Sequence, residues 1–227
     1  MKTNSETDIL GRIPLFDNLD DSEIASIRDK MFMKRIKKGE IILREEDTNK
    51  FMYIILKGRV KVIQTTEDGK EIVLSIHGAG DTFGEVSLID GKTTQARVMA
   101  VSDSLISIMS KEDFYILFRS HPKVLDNLLK LLCSRFRESV DCIKMLNLNN
   151  ANQRMQMLFI KLMHEYGENQ EEGVMLKIKL THNDIANMSG LTRETVTRIM
   201  NRWQKDGYIE MQSRYIQLKP EFVRELA

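Results

Sequence analysis

Between Leu180 and Met200 the chain carries the residue types suited to reading an edge of base pairs. Val196, Ile199 and Trp203 recur at intervals of three and four, the spacing of one buried helix face. That leaves Arg193, Glu194, Thr197, Arg198, Asn201 and Arg202 on the outer face. An arginine donates two hydrogen bonds at once to guanine O6 and N7, and a glutamate accepts from cytosine N4. From Lys177 to Lys219 eight Lys/Arg stand against four Asp/Glu, a local excess of +4 in a chain whose net charge is only +1. The plainer alternative is a solvated helix in which Glu194 and Arg198 form an i,i+4 pair.

The flanking residues supply what such a helix needs to be positioned. Thr181 predicts an N-cap with Asp184 at the capping-box position, opening a first helix. Ala186 is small enough for close helix contact, and Gly190 four residues later suits a tight turn. Thr192 predicts the N-cap of the second helix, which Asp206-Gly207 ends. This is the pattern of a helix-turn-helix, with Thr181 and Thr192 at helix N-termini where phosphate contacts arise. The stretch from Tyr208 to Leu218 alternates like a two-stranded wing.

Upstream, the periodicity changes twice. From Phe32 to Ile108 short β-branched runs predict strands at Ile41–Leu43, Tyr53–Leu56, Val60–Ile63, Ile72–Ile76 and Val98–Val101. Gly58, Gly69, Gly80 and Gly91 fall 11 residues apart and mark turns of an antiparallel barrel or sandwich. Asp68-Gly69 predicts a hairpin turn with positive φ at both residues. From Pro122 to about Leu148 a helix follows, with Leu125, Leu129, Leu132, Phe136, Ser139, Ile143 and Leu146 in strict heptad spacing. Such a narrow stripe predicts a dimer seam rather than a face packed on its own domain. Its charged flanks, Lys130, Arg135, Arg137, Glu138 and Asp141, read as a solvated outer face. Met155, Leu158, Phe159 and Leu162 form a further helical stripe, and Gly167 to Gly173 reads as an acidic loop with Glu168, Glu171 and Glu172.

Composition excludes several classes. Two cysteines, Cys133 and Cys142, are too few for a disulfide framework or an iron–sulfur centre. The polar N-terminus has no signal core and no apolar run reaches membrane-spanning length, so a cytoplasmic protein without a membrane partner is expected. No catalytic constellation, metal-spaced cluster or P-loop emerges, so catalytic and metal residues are expected to be none. His77 and the cysteines are expected to have no haem role.

Taken together, these features resemble the CRP/FNR family of bacterial regulators over nearly the whole chain. Gly80-Asp81-x-Phe83-Gly84-Glu85 resembles that family's nucleotide-binding loop, and Arg193-Glu-Thr-Val-Thr-Arg198 matches the recognition helix of its cAMP-responsive branch. The resemblance implies an α+β fold: an antiparallel β-roll effector domain (1–121), a long dimerisation helix (122–148) and a winged helix-turn-helix (149–227). It implies a homodimer on double-stranded DNA, a TGTGA-N6-TCACA-like site with recognition helices about 34 Å apart, Arg193, Glu194 and Arg198 as base readers, and RNA polymerase as partner of an activator. The implied effector site comprises Gly84, Glu85, Val86, Thr94, Gln95 and Ser139. There the family pattern breaks: Thr94 and Gln95 stand where cAMP-binding members have the phosphate-clamping arginine and its hydroxyl neighbour, and Arg97 has the strand parity that points away. A buried phosphate without its arginine loses several kcal/mol, on the order of a charge-assisted bond pair. Cyclic AMP control is therefore not expected; the effector is a nucleotide-like ligand of unknown identity, or absent. The alternative function is a ligand-binding regulatory subunit acting on a protein partner.

Overall fold

A computed structural model describes residues 9–212 and 215–226. Met1–Asp8, Ser213-Arg214 at the tip of the predicted wing, and Ala227 lie outside the described residues. The chain divides into two compact units at Phe136/Arg137, within the long helix.

The first unit is built on two antiparallel sheets. One orders its strands β1 (Met31–Ile36), β8 (Ser104–Ser110), β3 (Phe51–Lys57), β6 (Thr82–Phe83). The other runs β2 (Ile41–Leu43), β7 (Arg97–Ala100), β4 (Val60–Thr65), β5 (Glu71–His77). Five of these strands are those the β-branched runs predict. Strand β3 explains why its sequence reads as one unbroken apolar run. Tyr53 and Ile55 enter the core between the sheets, with Phe83, Val98, Ile106 and Ile108. Met52, Ile54 and Leu56, on the opposite face, enter a second core. That second core is closed by α1 (Asp21–Arg28), α3 (Lys111–Ser120) and the start of α4 (Pro122–Leu146), through Ile24, Ile27, Phe114, Leu117, Val124 and Leu128. A short helix, α2 (Glu85–Asp90), follows β6.

Gly58, Gly69, Gly80 and Gly91 all have positive φ and lie at turns or helix ends. At the β4–β5 hairpin the expectation needs correction. Only Gly69 has positive φ; Asp68 does not. The loop closes instead with Gly69 N–H donating to Thr66 O at 2.8 Å, and the Asp68 carboxylate accepts from the Thr66 hydroxyl. With that side-chain bond Asp68 stays in ordinary backbone space and glycine alone carries the reversal.

The second unit contains α5 (Ala151–Tyr166), α6 (His182–Ser189), α7 (Arg193–Lys205), α8 (Pro220–Leu226) and an antiparallel sheet ordered β11 (Ile209–Gln212), β12 (Tyr215–Leu218), β10 (Gly173–Leu176), β9 (Gly167–Gln170). The predicted acidic loop is thus largely a strand. β9 is an edge with all four residues exposed, so no alternation of apolar and polar residues announces it. Phe159, Trp203 and Phe222 pack edge-on and tilted at 4.7–6.4 Å between ring centres, joining α5, α7 and α8.

Helix α4 turns Val124 and Leu128 inward, while the heptad residues Leu125, Leu129, Phe136, Ile143 and Leu146 stay exposed, Phe136 at 71%. Leu132 is the exception, half-buried against the second core. Large exposed apolar side chains at heptad spacing are the mark of a seam awaiting another helix. Phe136→Glu is expected to leave the single chain folded, since Phe136 is not part of its core, but to abolish self-association. Sedimentation velocity should then report the mass of one chain; an undiminished dimer would place the interface elsewhere.

Candidate nucleic-acid interface and effector corner

The helix-turn-helix is assembled by local hydrogen bonds. Thr181 Oγ1 accepts from Asp184 N–H at 3.1 Å, and the Asp184 carboxylate accepts from Thr181 N–H at 3.0 Å, a complete capping box opening α6. Gly190 ends α6 in the left-handed region (φ 64°, ψ 29°), its N–H donating to Ala186 O. Thr192 Oγ1 then accepts from Thr195 N–H at 3.2 Å and opens α7. Val196, Ile199, Met200 and Trp203 are buried, and Trp203 Nε1 donates to Asn152 Oδ1 at 3.1 Å. The recognition helix is therefore held from behind by an aromatic cluster and one directed hydrogen bond.

On its open side, Arg193, Glu194, Thr197, Arg198 and Asn201 line one shallow groove. Glu194 and Arg198 are not ion-paired to one another among the described residues, in contrast to the solvated-pair alternative. Arg202 stands apart from that groove, 79% exposed and 3.5 Å from Asp206 at the end of the helix. Thr181 and Thr192 are exposed at the two helix starts. Sequence reasoning passed over His182, whose Nδ1 lies 2.8 Å from Thr197 Oγ1. Of the acids expected in the loop, Glu168 pairs with Lys177 at 2.7 Å and Glu172 with Lys219 at 3.0 Å.

The corner around Glu85, where the sequence predicts most of the effector residues, lies in the first unit. Gly84 adopts φ 87° ahead of α2, and a Cβ there would stand 2.9 Å from both Phe51 O and Asn49 Nδ2. Buried Asn49 explains the crowding: its amide donates to Phe51 O at 2.6 Å and Gly84 O at 2.8 Å. This pins the turn and drives Glu85 inward to 1% exposure. There Glu85 Oε1 accepts from the Arg135 guanidinium, which also donates to Thr82 O. Glu85 Oε2 and Thr82 Oγ1 are buried with no hydrogen-bond partner among the described residues. Beside them Ser75 Oγ lies 3.1 Å from His77 Nε2, and His77 Nδ1 lies 3.8 Å from Asp81. Burial raises the Asp81 carboxyl, but hydrogen bonds from His77 and Gly78 N–H and the charges of His77 and Arg135 outweigh it, holding it below the ordinary value.

The reading of Arg135 as part of a solvated outer face is therefore corrected. Its side chain is only 25% exposed and its charge is committed to a carboxylate 50 residues away. Helical periodicity shows which residues share a face, but not that a buried acid from a distant loop faces one of them.

The other effector residues are placed differently. Thr94 is buried, and its hydroxyl donates to Arg44 O and, at 3.3 Å, to Asp47 O. Its backbone is also bonded to Glu46 and Asp47, so it ties the 44–47 loop. Gln95 is exposed, Val86 is 54% exposed, and Arg97 is ion-paired with Glu71. Ser139 is exposed on α4 beyond the Phe136/Arg137 boundary and belongs to the second unit. Cys133 and Cys142 are free thiols, exposed and half-buried respectively. No group of three metal-ligating side chains occurs among the described residues, and no helix is long and apolar enough to cross a membrane.

The Glu85–Arg135 pair sets a test of stability. Arg135→Met strands a buried carboxylate and is expected to cost about 3–5 kcal/mol. Glu85→Gln in that background should restore most of the loss. Urea unfolding of the parent and the two variants measures it; an Arg135→Met protein as stable as the parent would refute the pairing.

Comparison with known proteins agrees with this architecture. Residues 33–121 match the cyclic nucleotide-binding domain and residues 153–225 the Crp-like helix-turn-helix domain. The chain is 29% identical to the Cyclic AMP receptor protein of Thermus thermophilus, over 87% of this chain and 88% of that one. It is also 29% identical to Electron transport regulator A of Shewanella oneidensis, over 81% and 73%. The structure of a CooA mutant from Carboxydothermus hydrogenoformans shares the fold with a TM-score of 0.76 at 24% identity, covering 89% of this chain and 90% of that one. A nucleotide-binding-type β domain, a long helix and a Crp-like helix-turn-helix in one chain make this protein a member of the CRP/FNR family of transcription regulators, which are not enzymes, bind DNA and act as dimers.

Proposed function

We propose that this protein is a cytoplasmic homodimer that reads a TGTGA-N6-TCACA-like palindrome without needing cyclic AMP. The observation that supports the operator reading is the groove on α7, where Arg193, Glu194 and Arg198 stand together on a buried, capped helix. Arg193 and Arg198 match guanine edges and Glu194 a cytosine amino group. Thr181, Thr192 and Arg202 serve the flanking phosphates and set register. Two-fold symmetry of the seam on α4 matches the two-fold symmetry of the site.

Independence from cyclic AMP rests on charge. A cyclic phosphate entering near Glu85 needs a cation, and the one that reaches Glu85, Arg135, is already paired with it. Thr94 has no charge to offer and gives its hydroxyl to the backbone. Gly84, Glu85, Val86 and Gln95 of the first unit then serve a different effector, or none. RNA polymerase is the proposed protein partner, met through the turn at Glu171-Glu172 in an activator's arrangement.

Fluorescence anisotropy of a labelled TGTGA-N6-TCACA duplex tests both parts. Binding with the same affinity in the presence and absence of saturating cAMP is expected, and binding only with cAMP would overturn the effector reading. Arg198→Ala should weaken operator binding by about 1–3 kcal/mol per lost bidentate contact while leaving non-specific DNA binding nearly unchanged. Equal affinity of this variant for the operator would overturn the base-reading assignment.

A further inference from the structure

Thr197 is the one residue of the α7 groove whose side chain is bonded to the other helix of the motif. Its hydroxyl oxygen lies 2.8 Å from Nδ1 of His182, the first residue of α6. Arg193, Glu194, Arg198 and Asn201, which line the groove with it, are all exposed; Thr197 is half-buried.

A threonine Cβ carries only two heavy groups, a hydroxyl and a methyl, and they turn together about a single torsion. Committing the hydroxyl to His182 fixes that torsion. Thr197 lines the groove, and of its two groups the methyl is the one that the bond to His182 leaves uncommitted. In the major groove thymine alone presents a methyl, so an apolar methyl at this point distinguishes thymine from the other bases without any hydrogen bond. We propose that Thr197 reads a thymine methyl in each half-site and that His182 is the positioning residue that aims it. This rests on the operator reading above and adds to it a base contact that the arginines and the glutamate cannot make.

The pairing has a chemical consequence. The contact joins a hydroxyl to a ring nitrogen, and which of the two donates depends on the imidazole tautomer. As a positioning residue His182 touches Thr197 and no phosphate, so its loss should leave the salt dependence of binding unchanged.

The test replaces thymine by deoxyuridine, which removes the methyl and nothing else. Each half-site of the TGTGA-N6-TCACA duplex has three thymines, two on the TGTGA strand and one opposite its terminal adenine. Replacing one of the three should weaken wild-type binding about fourfold per half-site, the value of burying one methyl group, and about sixteenfold in both half-sites. The other two should be neutral. Thr197→Ser keeps the hydroxyl and lacks the methyl, so it should bind both duplexes equally. His182→Ala should reduce the discrimination while the slope of log affinity against log salt stays as in the wild type; His182→Asn, which retains a group at the Nδ1 position, should recover it. Absence of any binding to the parent duplex would overturn the operator reading. Binding with no deoxyuridine effect, or an effect that persists in Thr197→Ser, would overturn the Thr197 assignment alone.

Discussion

A carboxylate buried to 1% exposure is the constraint from which the first unit is best understood. Removing Glu85 from water costs several kcal/mol, and only a close cation with further hydrogen bonds offsets that cost. Arg135 supplies it from the long helix. The pairing lies on the same side of that helix as its core contacts. Val124, Leu128 and Arg135, at intervals of four and seven, turn to the β-roll. Leu125, Leu129 and Phe136 repeat the same intervals one residue later, about 100° round the helix, and are left exposed. The burial of Val124 and Leu128 together with the ion pair thus decides which stripe of α4 is available to a second chain.

The second unit solves a different problem, that of holding a polar helix rigid with its polar side outward. Capping hydrogen bonds at Thr181 and Thr192 satisfy the exposed N–H groups of both helix starts. Burial of Val196, Ile199, Met200 and Trp203 supplies the packing, and the Trp203 hydrogen bond to Asn152 gives it one orientation. Base readout demands this rigidity, because a bidentate hydrogen bond loses its selectivity when the donor can drift. The His182–Thr197 bond extends the same principle from the helix to a side chain that lines its groove.

Features whose determinants lie within a few residues were legible in the sequence. The capping box spans three positions, Gly190 marks its own turn, and the heptad on α4 is a property of one helix. Most strands were legible because β-branched residues and glycines punctuate them. Strand β9 was not, since an edge exposed on both sides needs no apolar residue. Nor was the geometry of the Asp68-Gly69 turn, which depends on a bond to Thr66 that residue preference alone does not specify. Arg135 was misread, and His182 passed over, for a common reason. Their partners are 50 and 15 residues away on other elements, and only the assembled fold brings them together.

The chemistry of the effector corner follows from what Arg135 is already doing. An anion placed beside Glu85 gains from Arg135 only by taking it from the carboxylate, which would then be buried unpaired. That exchange loses about as much as it gains unless the ligand brings its own cation or donor. Glu85 Oε2 and Thr82 Oγ1, by contrast, have hydrogen-bonding capacity that the described residues leave unused. A hydroxyl or amine donor can satisfy them without disturbing the ion pair. Here one guanidinium joins the Glu85 loop to α4, beside the apolar contacts of Val124 and Leu128.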